Sequence, residues 1–491
     1  MNNRNTFLTF TFLSFFLFTA NAQKISVRYK SDTQKSFSGN VYLYLSKENK
    51  SPKDGRVGID AFPCFRIAVK DIKPNEAVLF DDAAISYPVP LTDIERGTYY
   101  AQIVWDNNLG GRAIAGSPGN IYNKVVQVIF SKDRNDFFDI VCDQIIPVEN
   151  FKETDFVREI KVPSKLLTSF YGRPTTINAA VWLPEKYNVY KDRRYPVLYF
   201  VYGYGGDYHR MSGMANANAP MDTTPCIRVI LDGQCPLGHS VYANSDNNGP
   251  WGDALTKELI PEIERKFRCD SARFLAGHSS GGWTVLWLQS HYPRIFTACW
   301  SSSPDPVDFR SFQRINLYTD KNMYYGKDST LHEMATVAGK IPWASQKQAY
   351  QMENVISRGE QMHSFNAVFS PRNNNGSPGE LCDAVTGAIH SEIAEHWKKY
   401  DISLYLRTNW PELQSDLHGK IRVSVGEQDN FLLNDAVHLF DQEMHKLNTG
   451  FIFAYYPGDH FTVGTLEYRD AGFKFLETKY NEFKVKQQIE K

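Results

Sequence analysis

The chain has 491 residues, of which 42% are hydrophobic and 22% are charged, and its 54 Lys and Arg nearly balance its 55 Asp and Glu to give a formal net charge of −1. Because nucleic acids and anionic membranes bind strongly basic surfaces, this balance argues against either as the main partner. The length exceeds what one hydrophobic core usually organises, so we expect two or three structural units.

The first 22 residues have the pattern of a secretory signal peptide. Arg4 precedes an apolar run at 6–18, and Ala20-Asn21-Ala22 has the small residues of a cleavage site. The apolar run is too short for a transmembrane helix. We therefore expect cleavage after Ala22, a secreted or periplasmic protein, and no membrane insertion after cleavage.

Residues 23–150 are predicted to form an all-β, sandwich-like domain. Runs of alternating polar and apolar residues at 40–44, 99–104 and 125–129 are separated by turns rich in Pro, Gly, Asn and Asp. Short strands with such turns between them are typical of a small sandwich. We expect a connecting segment at about 144–163.

Residues 151–491 are predicted to form a mostly parallel α/β sheet, because predicted strands alternate with predicted helices. The strands are expected at 176–183, 195–202, 226–231, 274–276, 296–300, 421–425 and 451–456, and the main helices at 253–267 and 434–447. The alternation stops between Ser303 and Gly419, a stretch too long for a simple connection. We interpret 303–419 as an insertion over the carboxyl edge of the sheet, where ligands bind in such folds.

Seven cysteines are scattered through the chain, and none belongs to a C-x-x-C pair. The pattern therefore predicts neither a zinc ribbon nor a redox motif. We interpret most of them as small buried residues, although export permits disulfides whose pairing the sequence does not give.

The most informative motif is Gly277-His278-Ser279-Ser280-Gly281. It follows the short apolar strand 273–276 and opens an amphipathic stretch at 283–291, which is the context of a nucleophile elbow. Such a tight turn needs residues without a bulky side chain. We therefore predict that Ser279 is a nucleophile with its hydroxyl exposed at the tip of the turn.

A serine hydroxyl needs a general base, and the base needs a carboxylate to orient it. Asp429 and His460 both follow predicted strands, in the chain order Ser, acid, His that accompanies this elbow. We predict Asp429 as the acid and His460 as the base. Glu427 is the alternative acid, and Asp459 is interpreted as a turn residue.

The tetrahedral intermediate of acyl transfer needs hydrogen-bond donors for its oxyanion. One predicted donor is the backbone N–H of Ser280, which follows the nucleophile. The other comes from the glycine-rich turn after strand 195–202, which reads Tyr202-Gly203-Tyr204-Gly205-Gly206. No metal-ligand or cofactor pattern accompanies these residues, so we expect neither a metal nor an organic cofactor.

Several motifs in order resemble one esterase family of the α/β-hydrolase fold. They are Trp182-Leu183-Pro184-Glu185-Lys186-Tyr187, 195–199, the turn 203–206, Asp232-Gly233, the helix 255–267, 273–282, 428–432 and 458–460. The family includes S-formylglutathione hydrolase (esterase D), feruloyl and acetylxylan esterases, enterochelin esterases and mycolyltransferases. The resemblance implies that Ser279, Asp429 and His460 form the triad and that the N–H groups of Tyr204 and Ser280 form the oxyanion hole.

The chain departs from this family in two places. The family often has His at the position of Tyr202, and the insertion 303–419 is not part of the common core. Substrate assignments therefore do not transfer from the resemblance alone.

The leading functional interpretation is an exported serine carboxylesterase that acts on acyl or feruloyl esters of carbohydrate, or on a siderophore-type ester. An acyltransferase of the mycolyltransferase type and a non-catalytic carbohydrate-binding protein with a hydrolase fold are the alternatives. A prolyl-oligopeptidase-type peptidase shares the triad order, but its propeller needs several blades of about 40 residues, which residues 23–150 cannot supply.

We expect the insertion to line the acyl or alcohol pocket and the N-terminal domain to position a large substrate or form a pocket edge. Removal of the N-terminal domain is then expected to spare small esters. Trp251 and Trp343 are candidates for stacking on a substrate ring. Trp397 and Trp410 are candidates of the same kind as Trp343, and each of these three tryptophans, taken singly, is more readily explained as part of the insertion's own core.

Overall fold

The structure is a computed structural model that describes residues 23–131 and 136–489. The predicted signal peptide and its cleavage site lie outside the described residues. Within the described ranges, no helix is long and apolar enough to cross a membrane.

Two β-sheets form the N-terminal domain and enclose one hydrophobic core. The smaller sheet has the strand order Val78–Phe80, Lys24–Tyr29, Phe137–Cys142. The larger sheet has the order Gln144–Ile145, Ile121–Tyr122, Gly97–Asp106, Phe37–Ser46, Cys64–Ile72, Ile85–Tyr87. A further strand, Val126–Phe130, also pairs with Gly97–Asp106. In the first strand Ile25, Val27 and Tyr29 are completely buried and face the core, whereas Lys24 is exposed and Arg28 is only partly buried. The observed architecture is the sandwich that the alternating runs predict.

Trp105 lies at the centre of this core. Its ring lies 4.9 Å from that of Tyr29 on the smaller sheet and 5.0 Å from that of Phe37 on the larger one. All three side chains are buried. The aromatic residues of this domain therefore hold the two sheets together.

An eight-stranded sheet forms the centre of the C-terminal part of the chain. Its strand order is Val157–Pro163, Thr176–Trp182, Ile227–Leu231, Tyr195–Val201, Cys269–His278, Ala298–Ser302, Ile421–Gly426, Ile452–Tyr456. The first two pairings are antiparallel and the remaining five are parallel. The interior strands are buried on both faces, which explains their near-continuous apolar runs. This is the mostly parallel sheet of the α/β-hydrolase fold.

Helices cover both faces of the sheet and build the insertion. The α-helices are Lys165–Tyr171, Trp251–Ala254, Ile260–Lys266, Ser280–His291, Gln346–Ile356, Gln361–Phe369, Ser391–Trp397, Ile402–Leu417, Leu433–Lys446 and Leu466–Ile489, and a π-helical turn, Leu255–Leu259, joins the second and third. Three hairpins complete the set, Gln234–Cys235 with Gly238–His239, Asn244–Ser245 with Gly249–Pro250, and Glu333–Val337 with Ile341–Ser345. Short 3-10 helices lie at Pro52–Asp54, Leu91–Asp93, Ile114–Gly116, Tyr208–Met211, Phe309–Ser311 and Lys398–Tyr400.

The connecting segment differs from its prediction. The predicted connection at 144–163 contains the edge strand Val157–Pro163, which pairs along its whole length with Thr176–Trp182. The strand was missed because an edge position requires no continuous apolar run.

All seven cysteines are buried and none is in a disulfide, which agrees with their interpretation as small buried residues.

A buried ion pair joins the N-terminal domain to the insertion. The guanidinium of Arg358 donates to both carboxylate oxygens of Asp106, at 2.9 and 3.0 Å, and both side chains are buried. Arg358 Nη1 also donates to the carbonyl oxygens of Gly111 (2.8 Å) and Pro236 (3.1 Å). The side chain of Arg358, which belongs to the insertion, thus bonds both to the N-terminal domain and to the loop that contains Pro236.

Candidate active site

Ser279 occupies a strained turn between the strand Cys269–His278 and the helix Ser280–His291. Its backbone angles, φ 59° and ψ −125°, lie where non-glycine residues are rare. Glycine is required on both sides of it, because a Cβ at Gly277 would lie 2.2 Å from the carbonyl oxygen of Gly281. A Cβ at Gly281 would lie 2.0 Å from that of Val201. The close packing of strand and helix therefore holds the serine at the tip of the turn.

His460 and Asp429 form a buried hydrogen-bonded pair. His460 Nδ1 lies 2.7 Å from Asp429 Oδ2, and the two side chains are 4% and 0% exposed. The other carboxylate oxygen of Asp429 accepts the backbone N–H of Phe431 at 2.9 Å, and the backbone N–H of His460 donates to Asn430 Oδ1 at 3.0 Å. These bonds fix the carboxylate and the histidine loop, and the ring of His460 uses Nδ1, not Nε2, in its contact with Asp429.

The two other acids considered at the sequence level lie elsewhere. Glu427 is exposed and its Oε2 lies 3.2 Å from Nε2 of His438, on the surface. Asp459 is partly buried and accepts the backbone N–H groups of Phe461 and Thr462, as a turn residue does. Of these three acids, Asp429 is the one that the structure places on His460.

The glycine-rich turn 203–206 lies directly beside the nucleophile. A Cβ at Gly203 would lie 3.1 Å from the Cβ of Ser279 and 3.6 Å from its Oγ. A hydrogen bond of 3.0 Å from the N–H of Gly206 to the carbonyl oxygen of Gly203 closes the turn. Ser280 is the first residue of the helix. The N–H groups of a first helical turn have no partner within the helix and are therefore available to bind an anion. The two predicted oxyanion donors thus belong to segments that flank Ser279.

Ser279 and His460 line a cavity of about 430 Å³ to which several parts of the chain contribute, among them the glycine-rich turn 203–206. The N-terminal domain supplies residues 56–59, the insertion supplies Asp305, Met334 and Phe365 among others, and the loops after the last two strands supply Phe431 and Phe461. The cavity wall therefore contains the insertion and the edge of the N-terminal domain, as the sequence predicts for a pocket over the carboxyl edge of the sheet.

Asp305 is a buried carboxyl group in this cavity that sequence reasoning missed. Its Oδ2 accepts a hydrogen bond of 2.6 Å from Ser280 Oγ, and Gln361 Nε2 lies 3.5 Å away. Burial raises the pKa of Asp305 to about 6, against the opposing effects of the Ser280 hydroxyl and of His460. Its position three residues after the strand Ala298–Ser302, next to the elbow strand, is the signal that could have identified it.

Two further titratable side chains of the cavity are held neutral by burial. The pKa of His278 is lowered to about 4, mainly by desolvation and then by His460, whose ring lies 4.6 Å away. The pKa of Glu353 is raised to about 8 by desolvation, while its carboxyl oxygens accept the N–H groups of Met362 and His363 at the start of a helix. Within residues 23–131 and 136–489, no three His, Cys, Asp or Glu side chains converge as metal ligands would.

The structure does not bring the four tryptophans of the sequence analysis to the cavity wall. Trp251, Trp397 and Trp410 are buried in the main hydrophobic core. Trp343 is partly buried, and the guanidinium of Arg56 lies 5.3 Å from its ring centroid. Trp343 therefore supports a residue of the cavity without lining it. Besides its two histidines, the aromatic residues that line the cavity are Tyr202, Tyr204, Phe365, Phe431 and Phe461.

The chain is similar to known proteins in sequence family and in fold. The family model described as "Putative esterase" matches residues 172–460. The solved structure of a ferulic acid esterase is 15% identical and covers 67% of this chain and 98% of its own, with a TM-score of 0.39. The S-formylglutathione hydrolase of Agrobacterium tumefaciens is 13% identical, with coverages of 67% and 98% and a TM-score of 0.39. The dipeptidyl peptidase 4 of Porphyromonas gingivalis is 13% identical and covers 90% of this chain and 49% of its own, with a TM-score of 0.38.

The fold and the family match define the class of protein. The sheet order, the elbow and the crossovers are those of an α/β-hydrolase. The chain belongs to the esterase family whose model it matches over more than half of its length. It is accordingly an enzyme of the carboxylic ester hydrolase class.

Proposed function

We propose that this protein is an exported serine esterase in which Ser279, His460 and Asp429 form the catalytic triad. The observation that carries the proposal is the 2.7 Å contact between Asp429 and His460, in the cavity that also contains the strained Ser279. The buried carboxylate orients the imidazole, and the elbow presents the hydroxyl.

The reaction follows from these positions. Ser279 Oγ attacks the ester carbonyl carbon while Nε2 of His460 takes its proton, and Asp429 stabilises the imidazolium. The N–H groups of Tyr204 and Ser280 donate to the oxyanion. His460 then returns the proton to the departing alcohol, which leaves an acyl group on Ser279. Water, deprotonated by His460, attacks the acyl-enzyme and releases the acid and free Ser279.

The cavity supports an apolar or aromatic acyl group as substrate. Phe365, Phe431 and Phe461 lie on its wall, and the ring of Phe431 packs edge-on against His460 at 4.9 Å. An aromatic acyl group bound there would place its carbonyl close to Ser279. Within the family, these features favour acyl or feruloyl esters of carbohydrate, or a siderophore-type ester.

An activity screen of purified residues 23–491 tests this proposal. The panel consists of p-nitrophenyl esters of increasing size, acetylated xylan, feruloylated xylan and a ferric catecholate ester, with Ser279→Ala as the matched control. We expect hydrolysis of the p-nitrophenyl esters and of one natural class, and none by the variant. Hydrolysis by the variant at the wild-type rate would reject the triad.

The export part of the proposal rests on the signal-like pattern of residues 1–22. Sequencing the N-terminus of the protein recovered from its native host tests it. A mature chain that begins at Gln23 is the expected result. A mature chain that retains the first 22 residues would reject export by cleavage.

A further inference from the structure

We propose that the N-terminal domain is part of the catalytic machinery, because its Arg112 is a positioning residue for the oxyanion loop. Arg112 acts through the side chain of Tyr204, whose backbone N–H is a proposed oxyanion donor. The inference rests on the proposed function for the identity of that donor. It goes beyond that function in giving the N-terminal domain a role in the chemical step for every substrate.

The contact between the two residues is extensive. Arg112 Nη1 donates to the hydroxyl of Tyr204 at 2.5 Å and to the carbonyl oxygen of Gly359 at 2.9 Å. The centre of the guanidinium lies 4.6 Å from the centroid of the tyrosine ring. A planar guanidinium that both stacks on a ring and bonds to its hydroxyl restrains the ring in two directions.

The insertion holds the other side of the same hydroxyl. The oxygen of Tyr204 lies 2.5 Å from the carbonyl oxygen of Gly359 and 3.0 Å from Oε2 of Glu360. Burial raises the pKa of Tyr204, so the hydroxyl keeps its proton and can donate to either acceptor. The hydroxyl is therefore surrounded by a donor from one domain and acceptors from another.

The insertion approaches Arg112 so closely that only glycine fits at 359. Gly359 has φ +82°, and a Cβ there would lie 2.1 Å from the carbonyl oxygen of Arg112. The neighbouring Arg358 donates to the carbonyl oxygens of Gly111 and Arg112. The backbone that carries Arg112 is thus fixed by the insertion, and Arg112 in turn has a fixed position from which to hold Tyr204.

The position of the Tyr204 side chain determines that of its N–H group. Gly203, the preceding residue, is in contact with Ser279, and the turn it opens closes three residues later. Tyr204 is the one residue of the turn 203–206 that is not glycine, so the contacts of its ring and hydroxyl anchor the turn. Because a displacement of about 1 Å can cost about 100-fold in rate, loss of this anchor should lower the rate of the chemical step.

The N-terminal domain thus has a wider role than the sequence alone predicts. The sequence suggested that the N-terminal domain serves large substrates only, so that small esters would not need it. The Arg112 contact implies that even p-nitrophenyl acetate depends on the domain, since every ester forms the same oxyanion.

The test uses full-length Tyr204→Phe and Arg112→Met, with Arg112→Lys as the conservative variant. Tyr42→Phe is the matched control, because the hydroxyl of Tyr42 bonds to Ser357 Oγ (2.6 Å) across the same domain boundary and does not line the cavity. Each variant is measured for kcat and KM on p-nitrophenyl acetate and for its affinity for a trifluoromethyl ketone, whose adduct with a serine carries an oxyanion. Thermal unfolding shows which variants are folded.

We expect Tyr204→Phe and Arg112→Met to lower kcat by about tenfold or more with little change in KM, and to weaken ketone binding by a similar factor. Arg112→Lys should retain part of the activity, and Tyr42→Phe should stay within about twofold of wild type. Tyr204→Phe removes only the hydroxyl that Arg112 contacts, so this variant is expected to fold. It therefore tests the proposal even if Arg112→Met fails to fold. Wild-type kcat in folded Tyr204→Phe, or an equal loss in Tyr42→Phe, would overturn the proposal. Failure of wild type to form the ketone adduct would instead reject the proposed function.

Discussion

The hydroxyl of Ser280 donates a hydrogen bond of 2.6 Å to Oδ2 of Asp305, and both side chains are buried beside the nucleophile. A carboxylate in this place is unfavourable for the folded chain, because burial withholds water from its charge. It is also unfavourable for an oxyanion that forms nearby. The pair thus couples the electrostatics of the site to the stability of the protein.

The first prediction concerns Asp305→Asn. The folded-state pKa of Asp305 is raised to about 6, whereas an unfolded Asp titrates near ~3.9. Between these values the folded chain binds a proton that the unfolded chain does not, so stability falls as pH rises through this window. Asn keeps an acceptor for Ser280 without the charge. We expect the variant to be more stable than wild type by roughly 2 kcal/mol at pH 7.5 and equal to it at pH 4.

Urea unfolding at the two pH values measures this difference. Glu427→Gln is a control, because its exposed carboxylate should affect stability little at either pH. A variant less stable than wild type at pH 7.5 would show that the Asp305 carboxylate stabilises the fold, contrary to this account.

The second prediction concerns the buried pair of Arg358 and Asp106. Arg358→Met leaves the carboxylate of Asp106 buried without its partner, so we expect a loss of about 3–5 kcal/mol in the free energy of unfolding. The double variant with Asp106→Leu removes the unpaired charge and should recover part of the loss. Additive effects of the two substitutions would contradict the pairing. Denaturant titration of the four proteins of the cycle provides the measurement.

The third prediction concerns Phe461, which lies on the cavity wall and is 62% exposed. Phe461→Ala should lower kcat/KM for a p-nitrophenyl ester of an aromatic acid by about tenfold. The substitution removes a ring–ring contact worth about 1 kcal/mol, and it also removes the apolar surface that the acyl ring would bury. The rate on p-nitrophenyl acetate should change little. Phe137→Ala is the matched control, since Phe137 is 63% exposed and lies in the N-terminal domain outside the cavity. Equal losses on both esters would show that Phe461 does not select the acyl group.

The fourth prediction separates the two candidate acids. Asp429→Asn should lower kcat by a factor on the order of 10³–10⁴, because the amide no longer stabilises the imidazolium. Glu427→Gln should retain wild-type kcat, since its carboxylate pairs with His438 on the surface. Steady-state kinetics on p-nitrophenyl acetate gives both values. A larger loss in Glu427→Gln than in Asp429→Asn would reverse the assignment.

The sequence predicts the elements that local patterns define. The elbow glycines, the strand before Ser279 and the strands before Asp429 and His460 are all local, and the carboxyl ends of parallel strands meet at one edge. The pairing of Asp429 with His460 follows from that geometry. These parts of the site could therefore be placed before the structure was known.

The remaining parts of the site depend on contacts between distant segments. Arg112 and Tyr204 are 92 residues apart, and Arg358 and Asp106 are 252 apart. No periodicity in either segment indicates which side chains will meet when the insertion folds over the sheet. The tryptophans of the sequence analysis show the same limit, because size and hydrophobicity identify buried residues and cavity residues alike.

Covalent labelling of Ser279 tests the central claim most directly. Wild type, Ser279→Ala and His460→Ala are incubated with a fluorophosphonate probe, and the modified peptide is identified by mass spectrometry. We expect one adduct on Ser279 in wild type, none in Ser279→Ala, and labelling slower by several orders of magnitude in His460→Ala, since the members of a triad fail together. An adduct that persists in Ser279→Ala, or that maps to another serine in wild type, would contradict the account.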